Sequence, residues 1–114
     1  MNLEQVITQL KLKVLTETKD FSTISLTQGY TSDLLSCVMA GAPRRSLWVT
    51  LQAHSNIVAV AGLLDLSAVI ITEGAMPEEA TIAKANEEGI ILLSTTEPSF
   101  AVVGKLWVLG LRAK

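Results

Sequence analysis

Three short segments of this chain carry one pattern: Leu47-Trp48-Val49-Thr50, Val69-Ile70-Ile71-Thr72 and Ile91-Leu92-Leu93-Ser94 are each three apolar residues closed by a hydroxyl. The hydroxyls stand at 50, 72 and 94, two equal steps (72 − 50 and 94 − 72, both 22). A fourth, weaker copy, Ile24-Ser25-Leu26-Thr27, lies one step upstream (50 − 27 = 23). Such a period accommodates a strand, a turn, a helix of about three turns and a return, which is the βαβ unit. Apolar runs without alternation suit strands covered on both faces. The pattern therefore predicts an α/β domain, a mostly parallel sheet of four to five strands flanked by helices, with the whole of 1–114 as a single domain.

Around this block the elements follow from periodicity and punctuation. Leu3, Val6, Ile7 and Leu10 fall on one side of an amphipathic first helix. Leu12–Thr16 predicts a short strand, with Ile24–Thr27 as its edge or hairpin partner. Gly29 predicts a turn, and Thr31 or Ser32 a cap for a helix from Asp33 to about Ala40, with Asp33 as a first-turn acid. Gly41-Ala42-Pro43 ends that helix. After the strand Leu47–Leu51, any of His54, Ser55 and Asn56 can cap a helix from Ile57 to about Leu64. After the strand Ala68–Thr72, Pro77 suits a first helical position, with Glu78 and Glu79 behind it and Gly89 as the stop. The strand Ile90–Ser94 leads to Pro98 and a final helix ending near Leu111.

Composition narrows the function classes. The formal charge is −2, and no cluster of basic residues exceeds Arg44-Arg45, so the electrostatic footprint of a nucleic-acid binder is missing. Charged residues make up 18% and hydrophobic residues 49%, which is apolar for a small soluble chain and implies that some of that surface meets another subunit. The apolar runs are shorter than the roughly 20 residues a membrane helix needs. The single Cys37 permits no intramolecular disulfide, and no leader-like segment follows Met1, so a cytoplasmic location is expected. No membrane partner is expected.

Candidate chemistry gathers at the carboxyl edge of the strands, where open parallel sheets bind ligands and helix N-termini direct N–H groups at anions. Thr50, Gln52, His54, Ser55, Thr72 and Gly74 are the candidate ligand-binding residues. The hydroxyls also have a plain structural reading, since Ser and Thr end strands and begin turns. His54, the one histidine, reads first as a helix-entry residue satisfied by a backbone carbonyl and second as an anion-binding residue. Cys37 reads as a small core residue beside Leu34 and Val38. One His and one Cys cannot close a zinc site within the chain, and Gly41-Ala42-Pro43-Arg44-Arg45 lacks the spacing of a phosphate loop. No cofactor, metal or catalytic residue is assigned. On the final helix the apolar arc from Val102 and Leu106 through Val103, Trp107 and Phe100 to Leu111 is about 180° wide, where a core-facing stripe needs little more than 100°. Val102, Leu106 and Trp107 are the candidate interface residues of a homodimer.

The segment Gly29-Tyr30-Thr31-Ser32-Asp33-Leu34-Leu35-Ser36-Cys37-Val38-Met39-Ala40, followed by Leu47–Ala61 and Ile70-Ile71-Thr72-Glu73-Gly74 with Pro77, resembles a DRTGG domain, the Ser-Asp-Leu-Leu-Ser part most specifically. The resemblance runs from about Leu12 to Leu111. It implies a fold similar to the N-terminal domain of HPr kinase and a dimerising regulatory module without chemistry of its own. Such domains occur beside CBS pairs in regulatory inorganic pyrophosphatases, beside phosphate acetyltransferase catalytic domains, and also alone, near hydrogenase-type redox subunits and sensor kinases. Where many relatives have Gly-Asp-Arg this chain has Gln52-Ala53-His54, and where they have Thr-Gly-Gly it has Thr72-Glu73-Gly74. The departure implies altered or lost ligand binding.

Three functions of different class follow. The first is a non-catalytic, dimeric regulatory or accessory domain that senses a small anionic metabolite, a nucleotide or another anion, or docks on a partner enzyme or sensor kinase. The second is a purely structural interaction protein without ligand. The third, a small enzyme with His54 as general base, has no second acid, nucleophile or metal set at recognisable spacing.

Overall fold

The computed structural model describes residues 1–113. Five strands form one sheet in the order β1-β5-β4-β3-β2, where β1 is Lys13–Val14, β2 Gly29–Thr31, β3 Leu47–Thr50, β4 Ala68–Ile71 and β5 Leu92–Ser94. Strands β2 to β5 are parallel, and β1 runs antiparallel along β5 with Lys13 opposite Ser94. The register offsets are 21 residues from β3 to β4, with Thr50 opposite Ile71, and 23 from β4 to β5, with Ile71 opposite Ser94, so the 22-residue sequence step is their mean and Thr72 stands one place beyond the partner of Thr50.

Every residue of β3, β4 and β5 is buried, because helices cover both faces. Alternate side chains enter different layers. Leu47, Val49, Ala68, Ile70 and Leu93 pack with α1 (Leu3–Leu10) and α5 (Ser99–Leu109). Trp48, Val69, Ile71 and Leu92 pack instead with α2 (Leu35–Gly41), α3 (Asn56–Leu63) and α4 (Glu79–Glu88). The three crossover helices share one face because the strand order advances steadily and crossovers keep one hand. After β5 the chain passes to the opposite face, where α5 lies against α1.

The helix ends follow from local chemistry. Asn2 caps α1 through a reciprocal box with Gln5, at 2.9 Å in each direction. Gly89 and Gly110 adopt left-handed φ of 70° and 110° and stop α4 and α5. Leu111 then folds back into the core, its N–H bonded to Leu106 O.

Several expectations are corrected. Ile24–Thr27 is not a strand of the sheet. Phe21–Thr23 forms a 3-10 turn, and the backbone of the next residues serves α1: Leu3 N–H donates to Ile24 O and Leu26 N–H to Met1 O. The edge strand beside β3 is β2, so Gly29 is strand and not turn, and Leu111 Cδ2 lies 3.3 Å from where a Gly29 Cβ would stand. Asp33 does not open a helix. Ser32 Oγ accepts from Leu34 N–H, and α2 begins at Leu35 without a side-chain cap. Neither Ser55 nor Asn56 caps α3; His54 Nδ1 accepts from Asn56 N–H at 3.1 Å. Helix α4 begins at Glu79, beyond a buried Pro77. Cys37 is exposed and not core, because Val38 takes the buried side of α2.

Candidate functional site

The strands' carboxyl edge gathers all six ligand-site candidates, but with unequal access. Thr50 and Thr72 are fully buried, Gln52 is half-buried, and His54, Ser55 and Gly74 are exposed. The two threonines lie within a chain of polar contacts along the strand ends. Thr50 Oγ donates to Asp33 Oδ1 at 2.9 Å and accepts from Gln52 N–H at 3.1 Å. Thr72 donates its backbone N–H to Thr50 O at 2.9 Å, and its hydroxyl lies 2.5 Å from that of Ser99. Glu73 continues the chain, its Oε2 accepting from Ser99 N–H at 2.8 Å at the start of α5. A negative charge there suits the positive end of a helix.

Asp33 is the member of this edge that the sequence reading assigned elsewhere. Its Oδ1 accepts from both Thr50 and Leu51 N–H, the latter at 2.8 Å, while Gln52 Nε2 donates to its backbone carbonyl at 2.9 Å. The carboxylate therefore clamps the loop after β2 onto the end of β3. Beneath it, buried Trp48 donates Nε1–H to Ser32 O at 2.9 Å. The Ser-Asp pair at 32–33 was the available signal, yet nothing local in it distinguishes a clamp from a helix-opening acid. Asp33 also changes the electrostatics, because an anion approaching Gln52 and His54 meets a carboxylate. His54 is held by its cap bond, with Nδ1 as an acceptor.

The interface candidates divide in the same way. Val102 and Leu106 are buried by their own chain, whereas Trp107 is 48% exposed, with the Arg112 guanidinium 4.7 Å above its ring. The unpartnered apolar surface of α5 comprises Phe100, 92% exposed, and Val108, 86% exposed, with Gly104 between them on one stripe. Among the described residues, no three His, Cys, Asp or Glu side chains stand together in a way that could hold a metal ion. No helix there is long and apolar enough to cross a membrane.

No family model and no curated protein matches the sequence. The fold does have a solved counterpart, the crystal structure of the CBS and DRTGG domains of the regulatory region of Clostridium perfringens pyrophosphatase, complexed with its activator diadenosine tetraphosphate. The TM-score is 0.74 at 15% sequence identity, over 91% of this chain and 45% of that one. The two chains share a fold, and this chain spans under half the length of its counterpart.

Proposed function

We propose that this chain is a non-catalytic regulatory or accessory module of the DRTGG kind, one domain over 1–114, which works as a dimer and meets a small anionic metabolite or a partner enzyme at the sheet edge formed by Thr50, Gln52, His54, Ser55, Thr72 and Gly74. The observation that carries this reading is the likeness over 91% of the chain to a regulatory region that binds a nucleotide activator. The edge agrees with it in one respect: most side chains there hold other parts of the chain in place, as a module that transmits a change in loop position requires. A docking role without ligand is favoured by a separate observation, the apolar stripe of α5, where Phe100, Trp107 and Val108 leave on the order of 400 Å² uncovered.

Trp48 fluorescence tests the ligand reading, because its indole bonds the loop that Asp33 clamps. Trp107→Phe removes the second indole. Adenine nucleotides, acetyl phosphate and pyrophosphate are titrated into this variant and into its His54→Ala derivative. A saturable change that the derivative loses supports the edge as the site. No change in fluorescence or melting temperature with any of them ends the metabolite reading and leaves docking.

A further inference from the structure

The chain's change of face after β5 opens a second location on the same edge. In open α/β sheets a crevice forms where loops from neighbouring strands depart to opposite faces. Here the loop after β4 leads to α4 on one face and the loop after β5 to α5 on the other. A cavity of about 390 Å³ lies at that divergence, lined by Gly74, Ala75 and Met76 from the first loop and by Ser94, Thr95 and Thr96 from the second. Its remaining wall is Lys11 and Lys13, brought there because β1 runs antiparallel along β5 with Lys13 opposite Ser94.

The lining is one-sided in charge. It has two lysines and no acidic residue, and neither lysine forms an ion pair among the described residues. The nearest acids in sequence are engaged elsewhere, Glu73 with Ser99 N–H and Glu97 with Lys105 Nζ at 2.5 Å. The hydroxyls of Ser94 and Thr96 make no hydrogen bond among the described residues, and that of Thr95 only accepts, from Glu97 N–H at 3.2 Å. All three can donate. Lys11 also sits at a left-handed φ of 53°, ending α1 where glycine is the comfortable residue. Two lysines as mobile point charges and three hydroxyl donors match a phosphate group, and about 390 Å³ leaves room for more of the molecule that carries it.

We infer that the β4–β5 crevice is a phosphate-binding site, in which Lys11 and Lys13 neutralise the phosphate of a small phosphorylated metabolite or of free pyrophosphate and Ser94, Thr95 and Thr96 donate to its oxygens. This site shares Gly74 with the edge proposed above but none of its Gln52–His54 end, and it stands whether or not that end binds anything.

Its test is residue-resolved. The full-length chain labelled with ¹⁵N is titrated at constant ionic strength with pyrophosphate, with ADP and with acetate as a monovalent control. Saturable amide shifts are expected at Gly74, Thr95 and Thr96 with pyrophosphate or ADP, the tighter of the two identifying the source, while Gln52 to Asn56 stay in place. The double variant Lys11→Gly with Lys13→Gln is expected to bind at least tenfold more weakly. Lys11→Gly alone is expected to melt no lower than wild type, since glycine suits that backbone, so lost binding is not lost folding. Absence of saturation, an acetate response equal to that of pyrophosphate, shifts centred on Gln52 to Asn56, or undiminished binding by the double variant would each overturn the assignment.

Discussion

Replacing Asp33 by alanine removes the acceptor for Thr50 Oγ–H at 2.9 Å and for Leu51 N–H at 2.8 Å. A hydrogen bond to a charged group contributes about 1.5–3 kcal/mol. The Asp33 side chain is open to water, which screens it, so both bonds together are worth on the order of 2 kcal/mol and not twice the upper figure. An acid that merely opened a helix would contribute only about 0.3–1 kcal/mol, so the size of the loss separates the two roles. Asp33→Asn keeps an oxygen in the accepting position, loses the charge, and is expected to cost about half as much. At this chain length 2 kcal/mol corresponds to roughly 8 °C in Tm. Urea unfolding of wild type, Asp33→Ala, Thr50→Val and the double variant gives the pair coupling directly. It should be about 1 kcal/mol, because each single change breaks the same Thr50–Asp33 bond. Asp33→Ala costing under about 0.5 kcal/mol, or strict additivity with Thr50→Val, would refute the clamp.

Trp48→Ala should cost about 3–5 kcal/mol, since it empties a fully buried site and orphans Ser32 O, and it should rank well above any cap change by denaturant midpoint. Gly41→Ala should leave stability within about 0.5 kcal/mol of wild type where a helical glycine-to-alanine change usually raises it by about 1: the new methyl would stand 2.8 Å from Tyr30 Oη and displace the ring from its bond to Cys37 O, which offsets the gain. Sedimentation at micromolar concentration should give a dimer for wild type and a monomer for Phe100→Asp with Val108→Asp, both exposed on α5; a monomeric wild type would remove the dimer from the proposal.

The parallel block was legible because its cause is local. A strand covered on both faces has to be apolar along its length, and the crossover returning to it occupies a nearly constant number of residues, so three such strands appear as a 22-residue repeat. The helix stop at Gly89 was legible for a similar reason, since left-handed backbone selects glycine, whereas the final helix, expected to end near Leu111, stops earlier at Gly110 by the same device. The weak copy at Ile24–Thr27 matched the repeat but lost its place. Its backbone bonds to the start of α1, while Gly29–Thr31, read as a turn, takes the sheet edge beside Leu47.

Roles that depend on a distant partner could not be read in the same way. Asp33 and Thr50 are 17 residues apart, and Thr72 and Ser99 27 apart, so nothing near either residue indicates that the pair will bond. Burial of Val102 and Leu106 against exposure of Phe100 was likewise undetermined by an apolar arc that held all three, and the exposed Val108 lay outside that arc. The arc gives the width of the face, and only the position of α1 and the sheet decides which part of it is covered. Lys11 and Lys13 reach the ends of β4 and β5 because a two-residue antiparallel strand joins the sheet beside β5, a pairing set by tertiary contact and not by the pattern of its own residues.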